Sequence, residues 1–215
     1  MTNDLWAAPT RRGILVGGAT LTLAGCGGGL IGPPSPAPQI YVLHPQFGAI
    51  ADAPAVAWQL VVATPIAPGS FDTDRIALER APNVMDYYAN SQWPDRLPLV
   101  LQSLLVEAFE KSGKIRAVGR ETEGLRADYI LETEIRDFEA FYAVADTPPN
   151  IRVTITAKML AALSHELVGT MQSAHQAQAA ANDMPNITAA FSQAAGAAIE
   201  EIVGWALRAP PPRTG

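Results

Sequence analysis

The middle of this chain alternates apolar and polar residues over two long stretches, and this alternation constrains the fold more than any other feature. The apolar residues of the first stretch are Tyr129, Leu131, Ile135, Phe138, Ala140 and Tyr142. A period of two predicts a strand with one buried face. Because the phase slips once, a bulge is expected near residues 136–137. The second stretch, residues 151–161, alternates without a slip, and residues 163–166 are expected to turn the chain into a partner strand at about 167–178.

Two other stretches carry apolar residues at helical spacing. Their apolar stripes consist of Leu97, Val100, Leu101, Leu104, Leu105, Ala108 and Phe109 in the first stretch, and Ile187, Phe191, Ala195, Ala198, Ile199, Ile202 and Leu207 in the second. Gly113 is a stop signal for the first helix. Asp183 and Asn186 are suitable N-caps for the second helix. Each helix is therefore expected to bury one face in the core.

Shorter β signals complete the pattern. They lie at residues 41–43, 58–63, 74–80, 84–88 and 115–118. Ala81-Pro82-Asn83 is a turn signal, so the third and fourth of these segments predict a hairpin. The sequence thus predicts two helices, each of which follows a group of strands. That order favours an α+β fold, in which an antiparallel or mixed sheet has both helices packed on one face.

Residues 1–25 have the pattern of a signal peptide, so the folded domain is expected to begin after them. A short basic region precedes about a dozen mostly apolar residues, fewer than the roughly 20 that span a bilayer. The four residues Leu23-Ala24-Gly25-Cys26 resemble the bacterial lipobox at every position. That resemblance implies cleavage between Gly25 and Cys26 and attachment of lipid to the Cys26 thiol. The alternative is a signal peptide without lipidation and a coincidental cysteine.

The paired arginines Arg11 and Arg12 leave the export route open. The segment from Thr10 to Leu15 resembles a twin-arginine export signal, but paired arginines also occur in ordinary secretory signals. Gly27 follows Cys26, and by resemblance to the enterobacterial sorting rule a residue other than Asp there favours the outer membrane. The expected location is the periplasmic face of a membrane, lipid-anchored, with the outer membrane favoured.

Composition separates the folded domain, expected at residues 39–208, from its flanks. Residues 26–38 are expected to form a tether, because Gly or Pro occupies eight of the twelve positions after Cys26. Twelve residues reach at most about 40 Å, so the domain stays near its membrane. Residues 209–215 are expected to be a disordered tail. The net charge of −6 repels phosphate backbones, and no nucleic-acid partner is expected.

The sequence offers no convincing catalytic or metal-binding constellation. His44, His165 and His175 lack the HxxxH and HExxH spacings of metal sites. Ser164-His165-Glu166 contains hydrolase residue types, but sequence neighbours rarely form a triad and no GxSxG elbow accompanies them. Cys26 is the only cysteine, which excludes an internal disulfide. We expect no catalytic residue, no metal and no cofactor apart from covalent lipid on Cys26.

Three aromatic residues, Tyr87, Tyr88 and Trp93, lie just before the first helix. Rings of this kind can form a contact surface for a partner protein or an acyl chain. They can equally seal the junction between strand and helix in the core. Both interpretations remain open on the sequence, with the core interpretation favoured.

The order of these features resembles the ABC-type transport auxiliary lipoproteins, the PqiC-like family. The matching features are the lipobox, Tyr41-Val42-Leu43 after a Pro-rich linker, Tyr87-Tyr88 followed by Trp93, the stripe from Leu97 to Phe109, the β pair within residues 129–161 and the closing helix. The resemblance covers residues 39–208. Pro94 departs from the family pattern, in which alanine is more typical at that position, and this affects where the helix starts.

The resemblance implies a function and a partner. Proteins of this family are associated with MCE-domain systems that move phospholipid between the inner and outer membranes, so it implies a non-enzymatic accessory subunit that docks to an MCE protein. No catalytic residues carry over from the family. The alternatives are a periplasmic scaffold lipoprotein of another outer-membrane assembly or stability pathway and, less favoured, a periplasmic hydrolase. Homo-oligomerisation is compatible with such an adaptor, but the sequence fixes no copy number.

Overall fold

The computed structural model describes residues 37–48, 50 and 52–211. The predicted signal peptide, with Arg11, Arg12 and Gly25, lies outside these residues, as do Cys26 and most of the tether. The regular elements of the described residues are β1 (Gln39–Ile40), β2 (Val56–Val62), β3 (Arg75–Ala81), β4 (Val84–Gln92), α1 (Leu97–Ser112), β5 (Ile115–Arg120), β6 (Tyr129–Phe141), β7 (Asn150–Ala161), β8 (Leu167–Gln178) and α2 (Met184–Ala206). A single 3₁₀ turn, Glu121–Glu123, follows β5.

The strands form one mixed sheet that forks along β6. One edge of β6 pairs with β7 over its whole length, and β7 pairs with β8, in both cases antiparallel. The other edge is shared: β2 pairs with Tyr129–Leu131, Ile66 bridges to Glu134, and β3 pairs with Ala140 and Phe141. One branch therefore continues from β2 to β5, and the other from β3 to β4 and β1.

The predicted α+β class is confirmed, and so are several local predictions. The register between β6 and β7 shifts between Ile135 and Asp137, where the bulge was expected. Gly113 ends α1 in the left-handed conformation, with φ of 60°, and its N–H donates to Glu110 O at 3.1 Å. Asp183 caps α2, because its carboxylate accepts the Asn186 N–H at 3.0 Å.

The core lies between the sheet and the two helices. The inward residues of β7 are fully buried, as are those at the centre of both helix stripes. Phe138 of β6 stacks on Phe191 of α2 with ring centroids 5.2 Å apart, and Trp93 meets both rings edge-on. Edge-to-face and offset contacts of this kind add stabilisation beyond area burial. The opposite face of the sheet stays polar, as at Glu132 and Lys158.

The opening strand is a correction to the sequence prediction. It was expected at residues 41–43, but β1 covers Gln39–Ile40, and the chain leaves the sheet after the Tyr41 N–H donates to Gln92 O at 2.8 Å. Residues 41–48, which we call the strap, lie along α2 instead. Leu43 and Pro45 are buried while the residues between and beside them are exposed. Residues 42–46 do alternate between exposed and buried, but the buried side chains pack on a helix rather than into the sheet.

No helix in the described part of the chain has the length and apolar character needed to cross a membrane.

Candidate functional site

The strap is attached to α2 by hydrogen bonds and close backbone packing. The His44 N–H donates to Ser192 Oγ at 3.1 Å, and the Gly48 N–H donates to Glu200 Oε1. Between these bonds Pro45 lies over Gly196, where an added Cβ would be 3.0 Å from Pro45 Cβ. The strap therefore runs in the same direction as α2, and the missing side chain at position 196 allows their close approach.

A groove of about 840 Å³ lies between the strap and the outer face of α2. Ile40, Val42 and His44 line one wall, and Ala189 and Gln193 of α2 line the other. Ile40 is 52% exposed and Val42 is 46% exposed, so apolar surface is open to solvent at the rim. The volume falls within the range of about 300–1,000 Å³ that is typical of ligand pockets. The groove is the main candidate site in the described residues.

Trp93 does not take part in a surface site, which corrects one of the two interpretations left open above. Its side chain is 1% exposed and packs against Phe138 and Phe191 in the core. A buried ring at this position cannot contact a partner protein or an acyl chain. It closes the junction between β4 and α1 from the inside.

Tyr87 and Tyr88 are half-buried and engaged within the domain. The Tyr87 hydroxyl donates to Ser70 O at 3.2 Å, and the Arg75 guanidinium lies 3.8 Å from the centre of its ring. The Tyr88 hydroxyl bonds the Tyr142 hydroxyl at 2.8 Å. Burial raises the pKa of Tyr88 above its ordinary value, so this hydroxyl stays neutral. These contacts support a structural role for both rings.

The residue types that suggested a hydrolase do not converge. Ser164 and His165 lie in the turn between β7 and β8, where the Ser164 hydroxyl accepts the Glu166 N–H at 3.3 Å. His175 lies eight positions beyond the start of β8 at Leu167, which corresponds to about 26 Å of strand. A serine and a histidine so far apart cannot act together.

His175 takes part in a hydrogen-bonded contact between β8 and α2. Its Nε2 lies 2.9 Å from Glu201 Oε2, and the Ser173 hydroxyl donates to the same carboxylate oxygen. The Ser173 hydrogen bond is the main cause that lowers the pKa of Glu201. Both polar side chains meet the carboxylate rather than each other, which is not the geometry of a triad. Among the described residues no three His, Cys, Asp or Glu side chains converge in a way that could hold a metal ion.

The fold and the groove together define a class of protein. It is an α+β domain in which residues 41–48 lie along α2, beside an open groove with an apolar rim. The chain belongs to the family described as the ABC-type transport auxiliary lipoprotein component, whose model matches residues 41–203. The family expectation from the sequence is thereby confirmed.

Solved structures share the fold. Protein XCC0632 of Xanthomonas campestris is 32% identical, with a TM-score of 0.74 over 79% of this chain and 94% of that chain. An uncharacterised protein is 11% identical, with a TM-score of 0.61 over 78% of this chain and 97% of that one. No curated protein sequence matches the chain.

Proposed function

We propose that this chain is a lipid-anchored accessory subunit of an MCE-type ABC system for phospholipid transport in the cell envelope. In this role it is a docking adaptor rather than an enzyme, and it is held at the periplasmic face of the outer membrane. The observation that carries the proposal is the family match over residues 41–203, together with the lipobox that ends at Cys26. The match supports a partner in an ABC-type transport system, and the lipobox supports the anchor.

The anchor and the tether suit an adaptor. Each buried CH₂ of an acyl chain contributes about 0.8 kcal/mol to membrane attachment, so two or more chains on Cys26 hold the protein firmly. The residues between Cys26 and Gln39 reach at most about 40 Å. Confinement to that distance raises the effective concentration of the domain for a partner that reaches the same membrane.

The groove is the surface that we propose for the MCE protein. Its rim exposes Ile40 and Val42, while α2 contributes small side chains such as Ala189, which is exposed. Small residues beside an apolar rim leave room for large side chains of a partner, the arrangement found at interface hot spots. The strap that forms one wall also leads to the tether, so docking takes place next to the anchored end of the chain.

The anchor is tested by metabolic labelling with palmitate and by fractionation. Wild-type protein is expected to carry the label and to remain with outer-membrane fractions, whereas Cys26→Ser is expected to be unlabelled and released. An unlabelled wild-type protein would contradict the anchor.

The docking role is tested by co-purification in mild detergent. Wild-type protein is expected to bring down an MCE protein or another component of its ABC system. Ala189→Arg places a long cation in the groove and is expected to abolish this. Ala174→Arg is the matched control, because Ala174 is an exposed alanine of β8 outside the groove.

Each outcome distinguishes a different part of the proposal. If wild-type protein brings down other envelope proteins and no MCE or ABC component, the transport role is wrong and the alternative scaffold pathway is favoured. If Ala189→Arg retains the MCE partner as well as the control does, the partner binds elsewhere than in the groove.

A further inference from the structure

Two turns at one end of the sheet expose large apolar side chains. Val84 and Met85, the first two residues of β4 after its turn from β3, are 55% and 40% exposed, and Val144 in the turn between β6 and β7 is 63% exposed. Leu163 in the turn between β7 and β8 is 93% exposed and Leu167 at the start of β8 is 55% exposed, but both lie at the opposite end of the sheet. Both ends of the sheet thus expose apolar side chains, and the direction from which the chain enters β1 distinguishes one end from the other.

The two turns that carry Val84, Met85 and Val144 are neighbours. β3 runs parallel to β6 and pairs with it at Ala140 and Phe141, just before each strand ends in its turn. The Tyr142 N–H then donates to Glu79 O at 2.9 Å, which extends the pairing towards the turns. The three apolar side chains therefore lie at one end of adjacent strands, and we call this end the turn surface.

The described residues that lead into β1, Ala37 and Pro38, lie on the side of β1 that is nearer the turn surface. β1 is parallel to β4, and Ile40 pairs with Gln92 at the far end of β4 from Val84. Because the strands are parallel, the chain that enters β1 comes from the direction of the turn. Gln92, the partner of Ile40, also pairs with Arg75 of β3. Arg75 lies six residues before the end of β3 at Ala81, so Ile40 is about 20 Å from the turn surface. Residues 27–38 reach at most about 40 Å, so they span this distance.

The charges of the turn surface suit shallow contact. Arg80, Asp86 and Asp146 are exposed in or next to the two turns, so both signs are present. Charged groups of this kind stay in the hydrated headgroup region, while short apolar side chains between them reach the acyl boundary. Deep insertion would bury these charges and is excluded by its desolvation cost.

We propose that the turn surface rests on the bilayer that holds the lipid of Cys26, with Val84, Met85 and Val144 entering the boundary between headgroups and acyl chains. The inference depends on the lipid anchor of the proposed function and adds an orientation to it. The domain is then held at its turns as well as by its tether. Leu163 and Leu167 point away from the membrane.

The single cysteine of the chain makes the orientation measurable. Once the Cys26 thiol carries lipid, an introduced cysteine is the only free thiol. Val84→Cys, Val144→Cys and, as the matched control, Leu163→Cys are made in the full chain, since all three positions are exposed and lie in or directly beside a turn. Each lipidated protein is labelled with an environment-sensitive fluorophore and reconstituted into vesicles of phosphatidylethanolamine and phosphatidylglycerol, with or without brominated acyl chains.

The expected result is a blue shift and a loss of fluorescence by brominated lipid at positions 84 and 144, with neither change at position 163. Labels at 84 and 144 that remain water-like on protein that floats with the vesicles would overturn this inference and leave the anchor and the docking role intact. Quenching at position 163 alone would reverse the orientation and overturn it as well. Protein that does not float at all lacks the anchor, which overturns both proposals together.

Discussion

Replacing Gly196 with alanine is expected to weaken the attachment of the strap to α2. The same change elsewhere in the helix is expected to stabilise the domain. Inside a helix alanine is favoured over glycine by about 1 kcal/mol. At Gly196 the new Cβ would lie 3.0 Å from Pro45 Cβ and 3.7 Å from Pro45 Cα. Carbon atoms prefer separations of about 3.5–4.0 Å. Pro45 is a rigid ring, so the strap itself must move.

Gly204 provides the matched comparison on the same helix. A Cβ there would lie 3.2 Å from Arg208 Nη1, the far end of an exposed side chain that donates to Gly204 O at 2.6 Å, and 3.7 Å from Ile50 Cγ2, an ordinary contact. Gly204→Ala is therefore expected to stabilise the domain by about 1 kcal/mol. Overpacking at Gly196 costs about 1–3 kcal/mol, so Gly196→Ala is expected to lie about 1–3 kcal/mol below Gly204→Ala in free energy of unfolding.

Urea unfolding of the two variants measures this difference. Hydrogen exchange then locates it, because the amide protons of His44 and Gly48 are the ones that bond α2 from the strap. They are expected to exchange faster in Gly196→Ala and at the wild-type rate in Gly204→Ala. The reasoning is refuted if Gly196→Ala is as stable as Gly204→Ala and both amides keep their protection.

Two further substitutions test charges and caps in the same unfolding assay. Arg152→Met removes a cation 2.8 Å from the buried Glu139, and the expected loss is about 2–4 kcal/mol. Burial raises the pKa of Glu139 in the folded protein, so the Glu139 carboxyl loses its proton at a lower pH in the unfolded chain than in the folded one. The loss of stability in Arg152→Met is therefore expected to be greater at about pH 8 than at about pH 4. Lys158→Met, on the same face of β7 but exposed, is the control. Asp183→Ala removes the cap of α2 and is expected to cost about 1 kcal/mol.

Local periodicity explains why much of the fold follows from the sequence. The strands β6 and β7 and both helices each repeat their apolar pattern over ten or more residues, so the phase of burial is fixed within the segment itself. The bulge near Asp137 is visible for the same reason, since a change of phase is a local event. The caps at Gly113 and Asp183 depend only on a few neighbouring residues.

The strap and the fork in the sheet depend on distant residues and were therefore missed. An alternation such as that of residues 41–46 has the same form whether the buried side meets a sheet or a helix. The sequence favoured a core position for Trp93 but left it open, because its burial is completed by Phe191, which belongs to an element much later in the chain. One available signal was Gly196 within the stripe of α2, because a glycine inside a helix is unfavourable unless another backbone approaches closely there.

The orientation proposed for the turn surface determines how a partner reaches the groove. α2 begins near the turns, where Asn182 accepts a hydrogen bond from Tyr142, and the chain beyond it reaches the start of β6, where Pro210 accepts one from Tyr129. With 23 residues the helix is about 35 Å long, so it extends away from the bilayer rather than along it. An elongated partner that crosses the periplasm from the opposite membrane would then align with the groove over its length. A partner diffusing in the plane of the membrane would meet only its end, which is why a fixed orientation favours a bridge between membranes.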